Sequence, residues 1–376
     1  NRKKAVNEGY FEELIRKYLL ENPHGCIMTL IPKKGLAAQR EKELEEKLEA
    51  YRSSLSEEQL DAMVEKTKAL EAYQEAGEDP KALECIPMLK RSDIKKEAAK
   101  IVNEELTVDN SLFLYHDVCT NGIGYVDLMF KTDSIAPEQI PYLGLLKSVL
   151  GYVDTEHYTY GELFNEINAN TGGINCGVEV FDRADSTEEF QAMFSVRGKA
   201  LYTKMDFLFK MIGEILNSSK LEDTKRLYEI VASVKSRAQV NLTGAGHSTA
   251  VLRAAAYSSP MAAFQDEMAG IGYYQFIEKL EKDFEQRKEE TVEELCKLMK
   301  KILRPENFMI SYTGERESLE TVQKLAGTVK AGLGTEPVEK SKEKLTCTKK
   351  NEGFKTSGQV QYVAQNGTFK KKGLEY

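Results

Sequence analysis

The sequence predicts an α+β protein, an antiparallel-rich sheet covered by helices and preceded by a long helical hairpin. Three observations point to it. Residues 36–77 carry narrow apolar stripes at helical spacing amid Glu, Lys and Arg. Strand-like runs fall into groups at 100–131 and 174–199, with another at 307–313. Helical patterns separate these groups and fill 201–303, and such segregation marks an α+β rather than an alternating α/β domain.

In order along the chain, Phe11, Leu14, Ile15, Tyr18 and Leu19 give 8–22 a helical stripe, which Asn22-Pro23 stops because proline cannot continue it. Cys26–Ile31 is a short apolar run before Pro32 and predicts a strand. A helix and one strand bury no core, so this piece reads as the tail of a domain whose body lies upstream. In the hairpin, Leu44, Leu48, Tyr51 and Leu55 form one stripe, and Leu60, Met63, Val64, Thr67 and Leu70 a second. Between them Ser56 and Gln59 have the spacing of a capping box, and Gly77 with Pro80 ends the second helix. The hairpin reads as a linker between two halves of a larger protein, with self-association as the alternative. Ile86-Pro87-Met88-Leu89 and Asp93-Ile94 lie in an extended connector.

The main domain opens with strands at 100–107, 111–118 and 122–131, turning at Asp109-Asn110 and Asn121-Gly122, the latter a hairpin signal because both residues tolerate positive φ. Helices follow at 137–150 and 157–170, strands at 174–181 and 188–199, the helical stretch, a strand at 307–313 and a helix at 316–331. Residues 333–358 are rich in Lys, Glu, Thr and Gly and read as a linker. Val360, Tyr362 and Ala364 alternate in a final strand from Gly358 to Ala364, the first of a downstream domain.

A net charge of -8 and a pI near 5.4 argue against nucleic acid, which calls for clustered Lys and Arg; Lys370-Lys371-Lys372 reads as a solvated tail. No apolar run reaches the roughly 18–20 residues that span a bilayer, and no signal core follows Asn1-Arg2-Lys3-Lys4. Cys26, Cys85, Cys119, Cys176, Cys296 and Cys347 are scattered without a C-x-x-C pair and read as buried, reduced thiols. The four histidines are His24, His116, His157 and His247. No pair of them has zinc-protease spacing, H-E-x-x-H or H-x-x-E-H. The nearest approach, at His157, has Val153 in the first ligand position, and His157 reads as a capping or surface residue. His247 precedes Ser248, but adjacency does not set a base on a hydroxyl in triad geometry, so it reads as a hydrogen-bonded helix-start residue. Gly244 and Gly246 form no dinucleotide fingerprint, and Glu104-Glu105 and Glu289-Glu290 read as solvated.

Several segments together resemble the presequence-protease type of insulinase-like, inverted-motif zinc metallopeptidase, the C subfamily. They are the run Gly9–Leu20 with Asn22-Pro23-His24, the Pro32-Lys33-Lys34-Gly35-Leu36 turn, and Ile86-Pro87-x-Leu89 with Asp93-Ile94. Further on come Tyr158–Leu163 with Thr171-Gly172-Gly173-Ile174, Gly246-His247, Ser259-Pro260 and Gly270-Ile271-Gly272-Tyr273-Tyr274. The resemblance implies four related α+β domains closing around an unfolded peptide, with zinc in the first. Here 1–35 would be the end of the second peptidase-like domain, 36–78 the hairpin linker, 79–98 the connector, 99–332 a non-catalytic third domain, and 333–376 a linker and the first strand of a fourth.

In such proteins the zinc helix begins with an apolar residue and Pro and runs into H-x-x-E-H. Ile140-Pro141 aligns with that start and puts Tyr142 and Leu146 at the ligand positions and Leu145 at the base position. The Arg and Tyr that the last domain contributes would lie beyond Tyr376. No catalytic, metal or cofactor-binding residue is therefore assigned to this chain. Zinc is expected in the intact parent and not on this segment. The expected partners are an unstructured peptide substrate, the N-terminal half and the fourth domain, with no nucleic acid or membrane. The expected location is a bacterial cytoplasm, or an organelle lumen. The rival is a stand-alone, catalytically inactive subunit that binds a peptide or partner; a hydrolase built on His247 or His157 ranks third.

Overall fold

A computed structural model describes residues 9–31, 33–97, 100–183, 186, 188–341, 343, 345–356 and 360–367. The chain divides into two units, Asn1–Ala98 and Ala99–Tyr376.

The first unit is helical. α1 (Tyr10–Ile15) continues into a π-helical turn, Arg16–Leu20. The strand expected at Cys26–Ile31 does not form. These residues are irregular, with Ile27 98% and Leu30 89% exposed. A strand is held by a partner's backbone, and no strand in this unit is described for it to pair with. α2 (Leu36–Ser54) and α3 (Glu57–Glu75) match the two expected helices. The capping box is present: Ser56 Oγ accepts from Gln59 N at 3.3 Å, and Ser56 N donates to Gln59 Oε1 at 2.9 Å. Leu44, Leu48, Tyr51 and Leu70 remain about half exposed, so neither helix covers the other's stripe. Pro80, expected only to end α3, opens a single turn, α4 (Pro80–Leu83), capped by Asp79. Pro32, Asn1–Lys4 and Lys370–Lys372 lie outside the described residues.

The second unit is built on a six-stranded sheet in the order β1-β2-β6-β3-β5-β4. The strands are β1 (Glu104–Val108), β2 (Ser111–Asp117), β3 (Ile123–Lys131), β4 (Ile174–Asp182), β5 (Phe190–Leu201) and β6 (Phe308–Gly314). All pairings are antiparallel except β2 with β6. The hairpin expected at Asn121-Gly122 does not form. Asn121 and Gly122 do adopt positive φ (54° and 80°), but β2 and β3 are not neighbours, because β6 lies between them. The two-residue hairpin is Asp109-Asn110, joining β1 to β2 with φ 46° and 64°.

Helices cover one face. α5 (Ile140–Val149) packs against α8 (Thr224–Gly244), α10 (Pro260–Ala269), α11 (Ile271–Lys282) and α12 (Phe284–Ile302). α6 (Tyr160–Asn170), α7 (Met205–Ser218), α9 (Gly246–Ala256) and α13 (Leu319–Ala331) complete the layer. α7 shows the reason: Leu208, Met211, Ile212 and Ile215 recur at helical spacing and are all buried. They meet the inward parity of the strands, among them Phe113, Tyr115, Leu128, Phe130, Phe194, Val196, Ile310 and Tyr312, all fully buried. Tyr115 and Tyr312 stack at 6.1 Å.

The stretch after α13 is irregular but anchored. Glu352 accepts from Arg253 Nε at 2.8 Å and from the Tyr257 hydroxyl. Arg253 Nη1 also reaches buried Asp266 at 2.6 Å, and Asp266 accepts the backbone N–H of Ile271 and Gly272 at the start of α11. Of the final strand expected over Gly358–Ala364, Gly358 and Gln359 lie outside the described residues, and 360–364 are not a strand. Tyr362 rests instead against Gly246 and the ring of His247. The cysteines also depart from expectation: Cys26, Cys85 and Cys119 are exposed and the other three half-buried. The first unit offers Cys26 and Cys85 no core in which to hide.

Candidate functional site

The second parity of the strands faces away from the helices. It places Tyr125 and Asp127 on β3, Arg197 and Lys199 on β5, and Ser311 and Thr313 on β6. The register lines them up in two rows across the sheet. Asn175, Arg197, Asp127 and Ser311 form one; Lys199, Tyr125, Thr313 and His116 form the other. With the Gly172-Gly173 turn between α6 and β4, most of these residues line a cleft of about 320 Å³.

Arg197 organises the first row. Its Nε donates to Asp127 Oδ2 at 2.7 Å and its Nη1 to Glu179 Oε1 at 3.1 Å. The hydrogen bond to Asp127, against the opposing effect of burial, leads the causes that raise the guanidinium above its ordinary value. One oxygen of each local carboxylate is thereby engaged. Asp127 Oδ1 and, two residues before Arg197, Ser195 Oγ are buried with no hydrogen-bond partner among the described residues. In the second row Lys199 lies flat over Gly172, where an added Cβ would fall 2.6 Å from Lys199 Cγ and 2.7 Å from Cε. Gly173, at φ 107°, needs the backbone freedom of glycine.

His116 and Ser311 form the closest approach to a nucleophile and base. Nδ1 lies 2.7 Å from the Val102 carbonyl and therefore donates to it, leaving Nε2, 3.2 Å from Ser311 Oγ, to accept the hydroxyl proton. Acyl transfer also needs donors aimed at the developing oxyanion. β6 is paired on both sides, by β2 and β3, so its backbone N–H groups are committed to the sheet. The pair tethers the segment before β1 to the sheet.

The residues singled out from sequence lie elsewhere. On α5, Tyr142 is 6% exposed, and Leu145 and Leu146 are packed in the core. The Tyr142 hydroxyl donates to Glu290 at 3.1 Å and accepts from Arg287 Nη2 at 2.8 Å. Burial first, offset by Arg287 and reinforced by Glu290, pushes its pKa up to about 12, so it remains a neutral phenol. These side chains do not fit zinc: two are hydrocarbon and the third is committed to an ion pair. Among the described residues no group of three or more His, Cys, Asp or Glu could hold a metal. His157 sits before α6, whose cap is Thr159, and binds Glu214 through its backbone N–H (3.1 Å) and ring Nδ1 (3.0 Å). His247 lies in the first turn of α9, exposed. Glu104 and Glu290, expected to be merely solvated, pair with Arg316 (2.6 Å) and Arg287 (3.0 Å).

The cleft residues were not singled out from sequence, although a signal was there. Tyr125/Asp127, Arg197/Lys199 and Ser311/Thr313 are polar at i and i+2 in strands whose other parity is apolar. Only strand order shows that three such pairs share one place.

Among the described residues no helix is long and apolar enough to cross a membrane. Comparison with known proteins gives a consistent result. Protein HypA of Clostridium perfringens is 35% identical over 374 residues, 100% of this chain and 38% of that protein. Presequence protease 1, chloroplastic/mitochondrial, of Arabidopsis thaliana is 27% identical over 373 residues, 98% of this chain and 34% of its own length. The mitochondrial presequence protease of Saccharomyces cerevisiae is 28% identical over 317 residues, 82% of this chain and 31% of its own. The chain thus spans about a third of the length of these curated relatives. The model of the family described as associated with the peptidases of family M16, subfamily C, matches residues 30–280, two-thirds of the sequence, and by that match this chain belongs to the family.

Proposed function

We propose that this chain is the non-catalytic portion of a zinc metalloendopeptidase that degrades unstructured peptides inside a closed chamber. The observation that carries it is α5. It has the Ile140-Pro141 start expected of a zinc helix, but Tyr142, Leu145 and Leu146 fill the ligand and base positions and are buried in packing. The helix keeps its structural role while zinc and its base belong to sequence outside this chain. The cleft-bearing face of the sheet, free of helices at its Arg197 end, would form part of the chamber wall and meet the peptide. Residues 36–78 would link two halves of the parent, the segments before and after completing neighbouring domains. The parent would work in a bacterial cytoplasm or an organelle lumen, since both bacterial and organellar proteins are among the relatives.

A chamber selects substrates by state of folding. A protein of the relatives' full length that contains this segment should cleave an unstructured peptide, and should leave the same sequence intact when it is held in a folded, disulfide-closed domain. Equal cleavage of both forms would remove the chamber from the proposal.

A further inference from the structure

We propose that the cleft between Lys199, Tyr125, Asn175 and Thr313 binds the carboxylate side chain of an acidic residue in an extended peptide. The inference rests on the reading of this face as one that meets peptide. Among the described residues the cleft carries one uncompensated charge, the Lys199 ammonium. Asp127, its carboxylate, is held by Arg197 through Oδ2 at 2.7 Å while its Oδ1 is buried away from the opening, and the Ser311 hydroxyl is directed to His116 at 3.2 Å. The Lys199 ammonium, the Asn175 amide, the Tyr125 hydroxyl and the Thr313 hydroxyl make no hydrogen bond or ion pair among the described residues, and all line the cleft. The ammonium can only donate, and the amide and the two hydroxyls can each donate beside it, which suits an ionised carboxylate.

The walls fit a side chain on a peptide better than a free ion. Tyr125 is 43% exposed and offers its ring as an apolar surface, while about 320 Å³ is near the lower end for small-ligand sites. Gly172 completes the arrangement: only a residue without Cβ lets the Lys199 stem lie flat beside the cleft. Arg197, on the same face two residues from Lys199, is engaged by Asp127 and Glu179, which leaves the Lys199 ammonium as the principal donor.

The test is direct binding to the 376-residue chain, by fluorescence anisotropy, of two labelled, N-acetylated and C-amidated peptides that differ only in Glu or Gln at the centre. The Glu peptide should bind about tenfold more tightly, and the preference should shrink with added salt. Lys199→Gln should abolish the preference. Gly172→Ala, which displaces the Lys199 stem, should reduce it without altering the circular dichroism spectrum. Equal affinity for the two peptides, binding of neither, or a Glu preference that survives Lys199→Gln would overturn the proposal. Proteolysis by the full-length protein is read separately, so failure of the carboxylate site and failure of the peptidase reading are distinguishable.

Discussion

Glu214 shows how much one side chain can hold together. It is 9% exposed, yet it accepts the backbone N–H and the ring of His157, with the Thr155 hydroxyl in support. Burial alone would push its carboxyl up; the hydrogen bonds from Thr155 and His157 outweigh it and leave the group below its usual range. A depressed carboxyl stabilises the fold above its unfolded pKa, about 4.3 for glutamate, and that contribution is lost as pH falls through the lower folded value. Glu214→Gln should therefore cost about 1–3 kcal/mol near neutral pH, and the cost should shrink as pH falls below the ordinary glutamate range. Urea midpoints measured across that range check it, and a cost independent of pH would be the wrong outcome. At this scale the sequence was legible where the chemistry is local. The capping box of Ser56 and Gln59, and the unsuitability of Leu145 and Leu146 as ligand or base, follow from residue type and spacing. The Lys199 cleft was not legible in the same way, because β6 lies more than a hundred residues from β5 in the chain and its members meet the others only through the sheet order.

Elements were read well where periodicity was strong and poorly where pairing decided. The strands of the second unit and its helical layer fall close to their expected positions. Cys26–Ile31 and 360–364 had apolar or alternating patterns, but alternation specifies a strand only when a partner supplies hydrogen bonds. Asn121-Gly122 had the right backbone preference and the wrong consequence: β6, arriving from 308–314, took the place between β2 and β3 that a hairpin would have filled. α5 depends on close approach in a similar way. A Cβ at Gly144 would lie 2.5 Å from the Met268 carbonyl oxygen at the end of α10 and 2.7 Å from the ring of Tyr273 on α11. Gly144→Ala should raise helix propensity by about 1 kcal/mol and still destabilise the unit by about 1–3 kcal/mol net, because backbone and a packed ring must move. Denaturation of the variant measures this; a gain in stability would mean that α5 can slide freely from α10 and α11.

For the whole molecule, a resemblance carried by the order of several short segments implied a particular peptidase family, and the family match over 30–280 agrees. The proposed division of labour within a longer parent rests on reading α5 as the counterpart of a zinc helix that keeps only a packing role. The most direct test is to incubate an unstructured peptide with this chain alone and with a full-length protein containing it, each with and without a metal chelator, and to determine bound zinc in both. The full-length protein should show chelator-sensitive cleavage and bound zinc, and this chain neither. Cleavage by this chain alone, or a full-length protein that binds no zinc and leaves the peptide whole, would contradict that division of labour.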